Sequence, residues 1–285
     1  MLAVLLALLA SACWGVADFL AGLTSRRLAS ILVLLGQQAA GAAIAVAIVV
    51  AVGEGLPDGR AIAYSCAAGA AGALALGAFY QALAVGTMSV VAPISASGMT
   101  LPVAVGIASG DRPSAIQAAG LALTVAGVIL AAREVPAEPA EPGAAPSGAS
   151  RRSILLALLA ALGFGGFFSL SDPAADASVL WLLVLSRTVA VLLIGAIVLA
   201  TRPSGVPKAR DAWPLALVGA LDLAATGLYA LANTEGLLSV VAVVGSLYPV
   251  ATVLLARAVL HERLARVQAL GVALAFAGVG AVAAG

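Results

Sequence analysis

The sequence Ser89-Val90-Val91-Ala92 returns as Ser239-Val240-Val241-Ala242, at an offset of about 150 residues. The same offset relates several later positions: Asp111-Arg112 and Glu262-Arg263, Gln117 and Gln268, Gly120 and Gly271, and Ala126-Gly127-Val128 and Ala277-Gly278-Val279. A constant offset over so many positions indicates an internal repeat. We therefore predict two copies of one unit, residues 1–132 and 153–285.

Composition indicates that both copies lie in a membrane. Hydrophobic residues make up 63% of the chain and charged residues only 9%, and the mean hydropathy is +1.14. A soluble fold of this length carries about 25% charged residues. The net charge of +1 does not suggest a nucleic-acid partner. The expected surroundings are the lipid bilayer of the cell membrane, crossed several times.

Hydropathy predicts ten apolar spans, each close to the ~20 residues that a helix needs to cross a bilayer. Only helices fit, because lipid cannot satisfy open backbone groups and the alternation of a barrel strand is absent. The fold class is thus an all-α integral membrane protein with ten transmembrane helices. The spans lie at 2–22, 29–52, 61–84, 88–109 and 114–132 in the first copy, and at 153–171, 179–200, 212–233, 238–260 and 265–284 in the second.

Five spans per copy turn the second copy upside down relative to the first. Two inverted five-helix repeats are a common architecture of secondary transporters, with the substrate site at the interface of the repeats. Residues 133–152 connect the copies and are rich in Pro, Ala and Glu. Such a composition cannot bury enough apolar surface to fold, so this segment is predicted to be a flexible linker.

The motif Trp14-Gly15-Val16-Ala17-Asp18-Phe19-Leu20, followed by Ser25-Arg26-Arg27, together with an acid-Arg pair after each fourth span, resembles the EamA-type transporters of the drug/metabolite transporter superfamily. The resemblance implies transport of a small organic solute, such as an amino acid, a sugar or a drug, without a cofactor. The second copy departs from the motif, because Phe164-Gly165 replaces Trp-Gly. Gln37 aligns with Arg187, so a role of that arginine belongs to one half only.

The predicted function is therefore solute transport by alternating access. A passive channel, an integral-membrane enzyme and an assembly protein are the alternatives. The chain has too few acids, bases and nucleophiles for a catalytic site, and a single histidine excludes a multi-histidine metal site. The expected partner is a small-molecule substrate, and the chain is expected to be a monomer or a homodimer.

Three charged residues within predicted spans are candidates for a site: Asp18, Arg187 and Asp222. A charge at mid-bilayer costs at least ~2.5–3.5 kcal/mol, so each needs a partner, water or a function. The helices that contain Arg187 and Asp222 begin at opposite faces of the membrane. At 1.5 Å per residue, the two residues lie at depths of ~12 and ~15 Å from those faces, so they are predicted to meet. They form either a structural ion pair or a substrate site in which Arg187 binds an anionic group. Asp18 is a candidate for gating or proton coupling, or a solvated carboxylate at a helix end.

The fourth spans contain breakers at matching positions: Pro93, Ser95, Ser97, Gly98, Thr100 and Pro102 in the first, and Gly245, Ser246 and Pro249 in the second. Proline removes a backbone donor, and broken helices at equivalent positions indicate a site in transporters. Ser97 and Ser246 are candidate substrate-binding residues there. A kink that only shapes packing is the alternative.

Uncharged polar residues complete the candidate cavity lining: Gln37, Gln38, Gln81 and Asn233, with Tyr80 and Tyr229 at equivalent positions of the repeat. The two tyrosines are either paired gates or interfacial residues of the aromatic belt.

The charges of the loops predict an orientation. Eleven of the fourteen Lys and Arg residues lie on one face, and the face that holds both termini has only Arg60 and Arg112. The positive-inside rule makes the basic face cytoplasmic and places both termini outside, whereas the family resemblance implies termini in the cytoplasm.

Overall fold

Helices form all the regular secondary structure in the described part of this computed structural model, which comprises residues 1–25, 27–85, 94–95, 97–131, 151–205, 207–260 and 266–284. The first half contains α1 (Leu2–Ser25), α2 (Ser30–Val52), α3 (Gly59–Val85), a 3-10 turn (Ser97–Met99) that leads into α4 (Thr100–Ser109), and α5 (Ala115–Ala131). The second half contains α6 (Arg151–Ala177), α7 (Val179–Thr201), α8 (Ala209–Glu235), α9 (Leu238–Gly245), α10 (Tyr248–Leu260) and α11 (Arg266–Ala284).

Six of the helical segments are long and apolar enough to cross a membrane: Leu2–Ser25, Ser30–Val52, Gly59–Phe79, Arg151–Ala177, Val179–Thr201 and Ala209–Glu235. Four further apolar helical stretches are shorter: Ser97–Ser109, Ala115–Leu130, Leu238–Thr252 and Arg266–Val282. The chain is thus a multi-pass helical membrane protein. The count of ten crossings stays a prediction, and residues 86–93, with the repeated Ser89–Ala92 motif, lie outside the described residues.

The boundary of the second copy differs by two residues from the prediction. Helix α6 begins at Arg151, whereas the linker was predicted to extend to residue 152. Two arginines in a first turn oppose the positive end of the helix dipole, which is why composition favours a later start. The rest of the predicted linker, residues 133–150, lies outside the described residues.

Helices of one half pack mainly against helices of the other. Helix α1 packs along α8, and α3 packs along α6. Helix α2 lies against α7 and α8, α3 also against α7, and α5 pairs with α11. Small residues permit this close packing: a Cβ at Gly15 of α1 would come within 2.9 Å of the Tyr248 carbonyl oxygen of α10. The core of the protein is therefore the interface between its two halves.

The fourth span of the second half is broken. Helix α9 ends at Gly245 and α10 begins at Tyr248, so that Ser246 and Leu247 interrupt the helix. Pro249 has no backbone N–H and cannot bond the Gly245 carbonyl one turn earlier. Ser246 instead donates to the Val243 carbonyl at 2.7 Å and lies 3.3 Å from the sulfur of Met99, in the 3-10 turn of the first half. The two irregular segments thus touch each other inside the protein.

Candidate functional site

Arg187, in the middle of α7, is the central charged residue of the interior. It is only 7% exposed. One terminal nitrogen, Nη1, donates to Gln38 Oε1 of α2 at 2.6 Å and forms a salt bridge with Asp222 Oδ2 of α8. The other, Nη2, donates to the Asp222 carbonyl at 3.1 Å and to the Thr226 hydroxyl. The predicted contact between Arg187 and Asp222 is therefore present.

The carboxylate of Asp222 has a second partner from the other half of the chain. Its Oδ1 accepts from the Trp14 indole Nε1 of α1 at 3.0 Å. Thr226, one turn after Asp222, bonds the Asp222 carbonyl at 2.9 Å and is itself almost fully buried. The indole and the guanidinium together hold the carboxylate in one orientation. Charge-assisted bonds of this kind are about twice as strong as bonds between neutral groups.

Glycines bring the supporting backbones together beside this network. A Cβ at Gly219 of α8 would collide with the Gln37 carbonyl and come within 2.8 Å of Ala40 Cβ, and a Cβ at Gly41 of α2 would lie 3.3 Å from the Gly219 carbonyl. Helices α2 and α8 therefore touch through their backbones. This close approach lets Gln38 reach Arg187 across the interface between the halves.

The network leaves one donor of Arg187 without a partner. The Nε atom is buried and has no hydrogen bond among the described residues, although the four bonds of the terminal nitrogens are made. An anionic ligand would therefore find one free N–H and would have to displace Asp222 for the rest. Arginine presents its donors in a planar fork that matches a carboxylate or phosphate, so such an exchange is chemically suitable.

Asp18 lies one turn after Trp14, on the same face of α1. Its side chain is exposed although it is within electrostatic range of Asp222 in the interior. Its position is compatible with the predicted gating or coupling role and does not test it.

Other predicted residues lie in different surroundings. Gln38, and not Gln37, is the glutamine that bonds Arg187. Ser246 is buried, and its hydroxyl donates to the Val243 carbonyl three residues earlier. The Ser97 hydroxyl likewise donates to the Ile94 carbonyl at 2.6 Å. Gln81 is exposed on α3. The side chain of Tyr80 lies outside the described residues.

Tyr229 corrects one prediction. Its side chain is fully buried and packs against Trp14 and Phe168, with ring centroids 5.7 and 5.0 Å away. A position in the aromatic belt at the membrane interface is therefore wrong for Tyr229. The prediction placed the residue by its distance from the helix end, which does not reveal which face of α8 points inward. Asn233, one turn further, is buried as well.

Sequence reasoning missed two partners of the ion pair. Trp14 served only as a family motif, and Thr226 was not considered. Thr226 follows Asp222 by four residues and so shares its helix face, a spacing from which it could have been found. The bond from Trp14 joins residues 208 positions apart, and no local pattern indicates it.

The fold and its buried network define a multi-pass helical membrane protein with an ion pair at the interface of its halves. Residues 151–284 match the model of the EamA-like transporter family. The second half of this chain is thus similar to the EamA-like transporter family, as is expected of a membrane transporter of the drug/metabolite transporter superfamily. The family resemblance stated from the sequence is confirmed.

The architecture is also known from solved structures, sixteen chains of which match. One, described only as "Crystal structure of protein", is 17% identical and superposes with a TM-score of 0.80 over 98% of this chain and 96% of that chain. At this identity the likeness shows a shared fold. No curated protein matches the chain.

Proposed function

We propose that the chain is a secondary transporter that moves a small organic solute across the cell membrane by alternating access. The observation that carries the proposal is the buried Arg187–Asp222 pair, with partners on helices of both halves. Ionisable residues at membrane depth commonly belong to substrate or ion pathways. The similarity to the EamA-like family supports transport and not catalysis, because that family is a transporter family.

The packing of the helices supports two inverted repeats. Exchanging the two halves turns the α1–α8 pair into the α6–α3 pair, and the α2–α8 pair into the α7–α3 pair. The pairs α2–α7 and α5–α11 map onto themselves. Any pseudo-two-fold axis has this consequence, and five crossings per half would place that axis in the membrane plane. Transporters with such axes alternate by moving one repeat against the other.

In our proposal the ion pair recognises the solute by exchange. Arg187 binds an anionic group of the solute, and Asp222 then binds a cationic or hydroxyl group. In the arrangement described here the two residues satisfy each other, which lowers the desolvation penalty of the empty site. Gln38, Thr226 and Trp14 hold the two side chains in place while the solute enters.

Asp18 is the coupling residue of this proposal. It is exposed and within electrostatic range of Asp222, so its charge and the occupancy of Asp222 influence each other. Replacing Asp18 by Asn is expected to leave solute binding in place and to abolish accumulation against a gradient. An unchanged accumulation in this variant would remove Asp18 from the mechanism.

The test of transport is counterflow. A panel of amino acids, sugars and amines is first screened for thermal stabilisation of the purified chain, and the best solute is loaded into proteoliposomes. A carrier accumulates external labelled solute transiently against its own gradient, whereas an open channel only equilibrates it. Equilibration without overshoot would identify a channel, and Arg187→Leu is the variant expected to abolish the overshoot.

A further inference from the structure

A second polar site begins about two to three turns of α8 from the ion pair, where three neutral side chains are buried without hydrogen-bond partners. They are Tyr229, Asn233 and Ser239, with exposures of 0%, 5% and 0%. The Tyr229 and Ser239 hydroxyls and both amide atoms of Asn233 have no hydrogen bond among the described residues. Each buried polar group left unsatisfied costs about 1–3 kcal/mol, so this set is expensive unless a ligand bonds it.

Two carboxylates lie beside these groups. Asp172 follows Phe168 by one turn of α6, on the face that packs against Tyr229, and it is within electrostatic range of Tyr229 and of Asp111. Asp111, between α4 and α5, accepts the backbone N–H of Ser239 at 2.9 Å. The Tyr229 hydroxyl in turn lies next to the Asn233 amide. One constellation therefore contains all five residues.

The arrangement has an accessible side and a buried side. Asp172 and Asp111 are half-buried, whereas the three neutral groups are closed off from solvent. Two carboxylates repel each other at short range, and a positive charge between them removes the repulsion. The carboxylates are thus placed to attract a cation that then meets hydroxyl and amide oxygens deeper in the protein.

The neighbouring wall is aromatic. Trp14, Phe168 and Tyr229 pack within 5.0–5.9 Å of one another, ring centroid to ring centroid. Aromatic faces attract organic cations and accommodate the apolar body attached to them. In the described part of the chain, no group of three or more His, Cys, Asp or Glu residues is placed to hold a metal ion. An ammonium head, with three donors and a positive charge, fits this mixture of acceptors better than a bare ion.

We propose that Asp172, Asp111, Tyr229, Asn233 and Ser239 form a binding site for the ammonium group of an organic amine, separate from the Arg187–Asp222 pair. The amine donates to the two carboxylates and to the neutral oxygens, and its body lies against the aromatic wall. Eleven residues of α8 separate Asp222 from Asn233, about 16 Å along the helix. Binding at this site does not depend on whether the chain transports, so its failure would leave the proposed function standing.

The test measures thermal unfolding of the purified full-length chain with phenethylammonium chloride as the probe. Its neutral analogue 2-phenylethanol has the same body without the charge. We expect saturable stabilisation by the ammonium compound only, and an apparent affinity at least tenfold lower in Asp172→Asn. The matched control is Asp58→Asn, at an exposed carboxylate between α2 and α3 that is not among the charges acting on Asp172, and it is expected to stay within threefold of the wild type.

Two variants keep the proposal testable if Asp172→Asn does not fold. Tyr229→Phe and Asn233→Leu each remove a buried polar group whose nearest polar neighbour is the other of the two, so both are expected to fold and to unfold close to the wild-type temperature without ligand. Both are expected to bind phenethylammonium at least threefold more weakly. Wild-type binding in both variants would overturn the site.

Three further outcomes overturn the proposal. Equal stabilisation by phenethylammonium and 2-phenylethanol would show that the charge is not recognised. Equal losses in Asp172→Asn and Asp58→Asn would show attraction by the surface charge alone. Sodium chloride could instead stabilise the protein saturably while potassium chloride and the amine do not. If this stabilisation were lost in Asp172→Asn, the site would be a sodium site and not an ammonium site.

Discussion

Replacing the two members of the buried ion pair one at a time and together tests how the halves are joined. Arg187→Leu leaves the Asp222 carboxylate, whose side chain is 15% exposed, with Trp14 as its remaining side-chain donor. Asp222→Leu leaves a buried guanidinium with Gln38 and Thr226 as its side-chain partners. Removing one partner of a buried pair destabilises a protein by about 3–5 kcal/mol.

The double variant is expected to lose much less than the sum of the two single losses. It leaves no buried charge, and two neutral groups lose a partner, the Trp14 indole N–H and the buried Gln38 amide oxygen, at about 1–3 kcal/mol each. The midpoints of these ranges give a coupling energy of about 4 kcal/mol. At about 2 °C per kcal/mol, each single variant should unfold roughly 6–10 °C below the wild type, and the double variant no lower than the single variants.

The assay is thermal unfolding of the purified protein in one detergent, with uptake measured in parallel. Thr188→Val, next to Arg187 and bonded only within its own helix, is the matched control and should unfold within about 2 °C of the wild type. Additive losses in the double variant would refute the coupling. Uptake that returns with folding in the double variant assigns the pair a structural role, and folded variants without uptake assign it to solute recognition.

Three further predictions concern packing, a helix end and orientation. Gly15→Val should lower the unfolding temperature strongly, because the added side chain would collide with Ala251. Gly22→Val should not lower it, because nothing lies within 4 Å of the added Cβ. Equal effects of the two substitutions would contradict the packing of α1 on α10. Asp111→Ala should destabilise by about 1 kcal/mol, since the Ser239 N–H in the first turn of α9 loses its acceptor; an unchanged unfolding midpoint would contradict a capping role. The orientation can be tested in a variant in which Cys13 and Cys66 have been replaced. If the termini lie outside, a membrane-impermeant thiol reagent should label Asp58→Cys in whole cells and leave Ser204→Cys unlabelled. The opposite labelling pattern would support the orientation that the family resemblance implies.

Hydropathy was sufficient to predict the six helices that are long and apolar enough to cross a membrane, because transfer from water to lipid depends on each residue and hardly on its neighbours. The four further predicted spans are shorter helical stretches, and the count of ten crossings stays a prediction. The end of α2 was predicted closely, since Gly53 adopts the left-handed conformation (φ +72°) that terminates it. The break at Ser246 was also expected, because Pro249 removes a backbone bond whatever surrounds it. These features follow from local chemistry.

Features that depend on helix rotation could not be predicted from the sequence. Gln37 and Gln38 are adjacent in the sequence and share the same apolar neighbours, so no sequence pattern distinguishes them. Only the packing of α2 on α8 determines that Gln38 faces Arg187. The position of Tyr229 along α8 predicted a residue at the membrane interface, but its side chain packs against Phe168 and Trp14 in the core. Depth in the membrane can be counted along a chain, whereas the direction of a side chain depends on partners more than 60 residues away.

The charges of the ion pair occur in one half only, since the equivalent positions in the first half are Gln37 and Ala73. Yet their bonds reach the first half through Gln38 and Trp14. Any motion that separates α1 and α2 from α7 and α8 must therefore break these two bonds, while Arg187 and Asp222, both in the second half, stay paired. A solute shifts a conformational equilibrium only through its different affinity for the two states. A solute that bonds Arg187 and Asp222 in place of Gln38 and Trp14 therefore favours the separated state, whereas an analogue without polar groups at these positions does not. Recognition at the ion pair would then be the means by which binding drives the alternation.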